Sequence, residues 1–345
     1  MQSRLGLYTN SASNLGIDQI EARIRRLRMR IDGFIITPKL SYSIQLSFAR
    51  ADTDFENSGF VNIVRDAVLF YNFTPKFYLS FGQNKLPGNR QRVNSSGQLQ
   101  FADRSIVNST FNVDRDFGIK LYYKEEIEKV GLNLKGAIST GEGRSVNFTN
   151  NGLAYTGRIE LLPFGKFKNE GDYSEGDLER ESKPKLSVAG GYSYNHKGQR
   201  TGGQLGKELY AERNFGTLIF DLVLKYNGWA YYAEYMDRRA NNPITTNELG
   251  SIRFIYDGKG VNQQLSYVFK RNYEIAARYS FIQPNKSIVG LEPKTDIVEL
   301  GATKYFNKHR VKAQWSVFYN VKDGNYAINN NLNHWGTMFQ VELGI

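Results

Sequence analysis

The chain has 345 residues, 45 Lys and Arg against 34 Asp and Glu, and no Cys. Without Cys there is no disulfide framework, thiolate nucleophile or thiolate metal site, and no apolar run reaches the roughly 18 residues of a membrane-spanning helix. The 22 Tyr, 22 Phe and 33 Gly suit a β-barrel, and a formal charge of +11 points to an anionic partner.

Residues 2–8 read as a short first strand and 11–18 as a loop. Residues 19–33, QIEARIRRLRMRIDG, switch parity: Ile20, Ala22 and Ile24 are apolar in the first half, Leu27, Met29 and Ile31 in the second. A one-residue slip turns every side chain to the other face, so a β-bulge is expected at Arg25-Arg26. An amphipathic basic helix is the alternative for this stretch. Thr37-Pro38-Lys39 reads as a turn. Residues 40–48 alternate cleanly, with Leu40, Tyr42, Ile44, Leu46 and Phe48 on one face and Ser41, Ser43, Gln45 and Ser47 on the other. A polar loop at 52–59, a strand at 62–73, a second Thr-Pro-Lys turn and a strand at 77–85 follow.

Residues 86–120 break the pattern and carry Arg90, Arg92, Arg104 and Arg115. A long irregular segment inside a regular β array is functional or disordered. The expectation is that it folds into the lumen of a barrel and forms the constriction, about residues 86–116, of an anion pore.

Alternation resumes at Phe117, and 124–129, KEEIEK, reads as a turn. Strands are expected at 130–139, 154–161 and 185–194, with a charged connection at 164–184 and a Gly-rich loop at 196–214. Asn227-Gly228 between two alternating runs marks a hairpin. A long loop at 237–259 precedes strands at 261–269, 273–281, 296–306, 311–319 and 334–345. The last strand keeps Phe339, Val341, Leu343 and Ile345 on one face to its end.

This pattern predicts one all-β domain over residues 1–345. It is a 16-stranded antiparallel transmembrane β-barrel with short periplasmic turns, long extracellular loops and an inward-folded third loop. The face opposite the apolar one carries Lys120, Lys135, Arg158, Lys225, Arg278 and Lys312, besides Arg25, Arg26 and Arg28. A water-filled lumen lined by Lys and Arg favours anions. Some of these cations are expected to pair with Glu160, Asp221, Glu234 and Glu274 instead.

Several runs together give a family resemblance: GQNKLP at 82–87, Ser95-Ser96, FADRS at 101–105 and DRDFGIKLYY at 114–123. The chain resembles the phosphate-selective porin O and P family. That resemblance implies a trimeric outer-membrane channel for small anions, with the loop after the fifth strand narrowing the pore. It puts Arg25, Arg26, Arg104, Arg115 and Lys85 at lumen positions. The family's dense Arg ladder is not traceable here, so the preferred anion does not carry over. The chain ends in Ile345 rather than the Phe common in outer-membrane proteins.

The expected surroundings are membrane lipid and lipopolysaccharide in the outer membrane of a Gram-negative bacterium. Met1 is followed by QSRLGLYTN, without a basic n-region and apolar h-region, so a secretory signal is expected to have been removed. The runner-up reading is a plugged barrel acting as a scaffold in a surface assembly. No Ser/His/Asp or paired-acid constellation supports an enzyme. The cations lie opposite the aromatics rather than among them, against nucleic-acid binding. No cofactor or metal is expected. His196, His309 and His334 read as solvated loop residues, and Asp172, Glu175 and Asp177 as a solvated charged turn rather than a calcium site.

Overall fold

The computed structural model describes every residue except 53–61, 147–148 and 345. The first seven strands are β1 (Gln2–Thr9), β2 (Ile17–Arg26), β3 (Arg28–Ile35), β4 (Thr37–Ser47), β5 (Val64–Asn72), β6 (Phe77–Lys85) and β7 (Arg115–Ile127). Then come β8 (Val130–Ser139), β9 (Ala154–Leu162), β10 (Lys185–Arg200), β11 (Glu208–Tyr226), β12 (Trp229–Ala240), β13 (Ile244–Thr246) and β14 (Ile252–Phe254). The last are β15 (Gly258–Val268), β16 (Tyr273–Pro284), β17 (Thr295–Asn307), β18 (Val311–Lys322) and β19 (His334–Leu343). Seventeen of these form one sheet, which closes where β1 pairs antiparallel with β19, from Gln2↔Glu342 to Tyr8↔Gly336. β13 and β14 make a separate small hairpin.

The closed sheet is apolar outside and polar inside. Along β16, Tyr273, Ile275 and Tyr279 are exposed, whereas Glu274, Arg278 and Ser280 are buried. Along β18, Trp315 is exposed between buried Gln314 and Ser316. A soluble sandwich shows the reverse order, so this is the pattern of a barrel whose outer wall meets lipid.

The parity switch in the second strand is real. Gln2 pairs with Arg26 and Ser3 with Ile24, which leaves Arg25 as the extra residue of a β-bulge. Leu27 then separates β2 from β3. Ile20, Ile24, Leu27, Met29 and Ile31 all remain on the exposed outer face, so the bulge keeps both apolar sets toward lipid. The helical alternative does not form.

Several boundaries differ from the sequence pattern. The turn expected at Thr37-Pro38-Lys39 sits at Ile36, held at φ 63, and Thr37 already pairs with Ile35. KEEIEK extends β7 to Ile127, leaving a turn at Glu128 with φ 57. The Gly-rich loop shrinks to 201–207 because β10 and β11 run on, with pairs as far as Arg200↔Glu208. The loop at 237–259 is partly strand, in β12, β13 and β14. Most of the polar loop at 52–59, and Ile345, lie outside the described residues.

Two segments fill the interior. Residues 86–114 carry α1 (Arg90–Val93) and α2 (Ile106–Phe111) and cross to the far wall. Val107 and Phe111 pack there against Ile219, Met236 and Ile282 on β11, β12 and β16. The second is the connection 163–184, where Phe167 packs against Leu162, Val223 and Tyr232. It enters from the end of the barrel that carries both termini, opposite to the entry of 86–114. The two segments meet where the Glu175 N–H donates to the Gln98 carbonyl at 2.9 Å.

The acids of the second segment are therefore not a solvated turn: Asp172, Glu175 and Asp177 are buried. They fold inward because partners wait for them. The Glu175 carboxylate accepts from Gln91 Nε2 at 3.0 Å and from the Gln100 N–H at 2.9 Å. Among the described residues, no cluster of acids and His has the arrangement of a metal site. His309 is also enclosed. Its Nε2 lies 3.0 Å from the Glu175 carbonyl, and burial, followed by the charge of Lys312, holds the ring well below its ordinary pKa.

Candidate functional site

The inward cations divide by what they touch. One group clamps the loop 86–114 by its carbonyl oxygens. Lys312 Nζ donates to Gly97 and Leu99, Lys85 Nζ to Val93 at 2.6 Å, Arg278 Nη1 to Asp103 at 2.9 Å, and Arg238 Nη2 to Phe111 at 2.9 Å. Charged donors make stronger hydrogen bonds than neutral ones, and a loop without a ladder of its own needs such partners for its backbone. Lys120 is similarly spent on the carbonyls of Gly82 and Asp116.

A second group sits in buried ion pairs. Arg90 is fully enclosed, and its Nε donates to Asp221 at 2.6 Å while Nη1 reaches Asp172 at 3.4 Å. Arg158 bridges Glu160 and Asp221 at 2.7 Å each, and Lys135 lies 2.9 Å from Glu160. Tyr173 donates to Glu160 at 2.5 Å, beside the cationic faces of Arg90 and Lys135. Arg90, Lys120, Lys135, Arg158 and Lys312, expected along an aqueous pathway, thus line neither cavity described below. Their charge is neutralised by acids or bound by backbone oxygen.

The third group faces open space. A cavity of about 470 Å³ lies against the wall from β2 to β7 and is lined by Arg25, Arg26, Arg28, Lys85, Arg92, Arg104 and Arg115 from the expected set. Arg30, Arg65 and Arg144 line it too, so ten cations face three acids, Asp52, Asp66 and Asp114. Each acid is bound by at least one guanidinium group. Asp52 lies 2.6 Å from Arg28 and 3.2 Å from Arg65. Asp66 accepts two bonds from Arg115, at 2.8 and 3.1 Å, and Asp114 accepts from Arg92. Buried guanidinium N–H groups remain without a partner at Nε of Arg25, Arg26 and Arg65. Buried donors of this kind favour an incoming anion, which supplies the missing acceptor.

A second cavity, about 400 Å³, adjoins the first and shares Arg25, Arg26, Arg92 and Arg104 with it. Arg278 lines this one. The four shared residues come from the bulged strand and from the loop. Arg104 is positioned by donating to the carbonyls of Gln91 at 2.6 Å and Asn94 at 2.9 Å. Burial, then the charges of Arg92 and Arg28, lowers its pKa. Asp103 balances this side. Burial pushes its carboxyl up, but the bond from Arg4 and the charges of Arg25 and Arg26 hold it well below the usual range.

Arg30, Arg65 and Arg144 escaped the sequence pattern. For Arg30 the signal was present, since it lies two residues beyond Arg28 on the same strand face. Arg65 follows a segment outside the described residues. Arg144 belongs to a connection whose approach to the cavity is set by Asp116, which accepts from the N–H groups of Gly141 at 2.6 Å and Gly143 at 3.1 Å.

Glu142 in that connection gives a pH signature. Burial, then the charge of Asp116, pushes its carboxyl up to about 7. The folded state then holds a proton that the unfolded chain has released, so stability falls as pH rises from the ordinary 4.5 through about 7. Thermal unfolding of Glu142→Gln and the native chain across pH 4 to 8 is expected to show a gap that widens over this window in favour of the variant. A constant gap would refute the assignment.

Geometry and charge together place two adjoining cation-lined cavities beside a loop clamped in the lumen. The sequence model described as phosphate-selective porin O and P matches residues 10–336. No curated protein sequence matches. Among solved structures, the fold is similar to an anion-selective porin from Comamonas acidovorans, at TM-score 0.54 and 11% identity over 99% of this chain and 96% of that chain. It is also similar to the outer-membrane channel DcaP of Acinetobacter baumannii, at TM-score 0.55 and 12% identity over 99% and 94%. A loop-deletion form of OmpT, an outer-membrane protein of Vibrio cholerae, gives TM-score 0.55 and 14% identity over 99% and 96%. At these identities the likeness concerns the fold, whereas the family match spans nearly the whole chain. The chain belongs to the phosphate-selective porin O and P family and is an outer-membrane porin of a Gram-negative bacterium.

Proposed function

We propose that the protein is a passive diffusion channel selective for small anions, including oxyanions and carboxylates. The observation that carries this reading is the cavity in which ten cations face three acids. Such a lining lowers the barrier for anions and raises it for cations. The pathway uses Arg25, Arg26, Arg28, Lys85, Arg92, Arg104 and Arg115, with Arg30, Arg65 and Arg144 added and Arg278 on the second cavity. The remaining basic residues of the inner face build the wall and hold the loop.

In this reading the whole chain is one barrel domain with the constriction at 86–116. β2 and β3, separated by Leu27 alone, act as one continuous strand, so the seventeen segments make 16 crossings. The end with the termini and the short turns faces the periplasm. A structural neighbour described as a trimer form supports a homotrimer, seated in lipid and lipopolysaccharide. Zero-current potentials across planar bilayers under a KCl gradient test the selectivity. Chloride is expected to carry most of the current, and potassium preference would sink the proposal.

The connection 163–184 favours a second reading, a largely plugged barrel with a scaffold role, because it blocks part of the lumen from the opposite end. Excising 167–182 and closing the gap with a short Gly linker is expected to raise single-channel conductance roughly twofold under the channel reading. A native protein with no conductance, which the excision alone opens, would favour the scaffold.

A further inference from the structure

In this barrel most inward side chains are polar, and several of the inward apolar ones are covered by a segment in the lumen. The inward apolar residues Ile219, Met236 and Ile282 lie under the loop, and Val223 and Tyr232 under the connection 163–184. Ile297, Phe318 and Met338, on β17, β18 and β19, instead face a cavity, as Val68 and Phe70 do on β5. Ile297, Phe318 and Met338 line the 400 Å³ cavity together with Arg25, Arg26 and Arg104. Phe318 lies over Gly336, where any Cβ would meet its ring at 2.1 Å. It is flanked by the rings of Tyr8 at 6.1 Å and His334 at 6.3 Å. The ring is thus held in place, and it faces a cavity rather than a packed core. In the same cavity, Arg26 is 6% exposed and, among the described residues, its Nε has no partner; Nε and Nη1 of Arg25 also lack one.

A cationic wall with open donors beside an apolar wall in one cavity matches a ligand with the same two ends. We propose that this cavity is a binding site for organic anions with an apolar body, of the arylcarboxylate kind. The carboxylate meets Arg25 and Arg26, and the ring rests on Phe318, Met338 and Ile297. An inorganic anion satisfies the guanidinium groups but leaves the apolar wall wet. The inference rests on the anion-channel reading and refines its substrate class.

The test is block of chloride current through the intact channel by benzoate, with acetate, inorganic phosphate and neutral benzyl alcohol as comparison probes. Benzoate is expected to block at concentrations about tenfold lower than acetate, the effect of removing part of one aromatic face from water. Benzyl alcohol at the same concentrations is expected to leave the current unchanged. In Phe318→Ser/Met338→Ser the benzoate-to-acetate ratio is expected to fall to near one. Ile297→Asn, a milder change on a neighbouring strand, is expected to reduce the ratio severalfold and serves if the double variant does not assemble. Each ratio is internal to its variant, so altered conductance does not confound it. Equal block by benzoate and acetate in the native channel, or a ratio unmoved by these substitutions, overturns the site. A channel that prefers potassium overturns the anion reading itself, so the two failures are distinguishable.

Discussion

In Arg25→Glu/Arg26→Glu, the chloride-over-potassium permeability ratio is expected to fall at least about tenfold, with the zero-current potential moving toward cation preference. Arg25 is the bulged residue and Arg26 follows it; both line both cavities, so any ion crossing between the cavities passes them. Two unit charges about 4 Å apart interact by about 1 kcal/mol in water and more in a confined lumen. Reversing two charges therefore changes the energy of a passing ion by several times that amount before salt screening. The substitution removes few native contacts. Arg26 Nη1 donates to Gln2 at 2.5 Å, and Arg25 Nη2 stands 3.7 Å from Asp103. Arg239→Glu is the matched control, since Arg239 is exposed and lines neither cavity. A selectivity change as large in the control would show that net charge, not the passage, sets the effect.

Arg90→Ala is expected to give the largest loss of stability among the inward cations, about 3–5 kcal/mol, the usual result of removing one member of a buried ionic network. Arg90 is fully buried and joins the loop to Asp221 on β11, Asp172 on the connection 163–184 and Ser187 on β10. Its removal leaves Asp172 without a guanidinium partner, while Asp221 keeps Arg158. Urea unfolding in detergent micelles, or the temperature at which the barrel loses its folded mobility on gels, measures the loss. Single-channel recordings are expected to become noisier as the loop loosens. Arg92→Ala is the comparison, because Arg92 faces the cavity and, among the described residues, its side chain bonds Asp114 alone. A smaller loss for Arg90→Ala than for Arg92→Ala would contradict the division into structural and pathway cations.

That division was not legible in the sequence. Lys85, Lys120 and Lys312 occupy equivalent inward positions on alternating strands, and their surroundings in the chain look alike. What separates them is distant. Lys312 reaches Leu99, 213 residues away, whereas Lys85 also faces the cavity. The connection 163–184 misled for the same reason. Its acids are those of a solvated loop by composition, and donors contributed by other elements make their burial tolerable: Arg90 to Asp172, Gln91 and the Gln100 N–H to Glu175, and the Gly228 N–H to Asp177.

Most strands and their facing, the Asn227-Gly228 hairpin, the bulge at Arg25-Arg26 and the irregular loop were determined by the sequence alone. Each follows from side-chain alternation and turn chemistry within a few residues, which are local properties of the chain. Which cations meet water, which half of the lumen stays open, and the uncovered apolar patch at Phe318 were decided only by the tertiary structure. An inward side chain looks the same in sequence whether a loop folds over it or not, and the covering loops arrive from far along the chain.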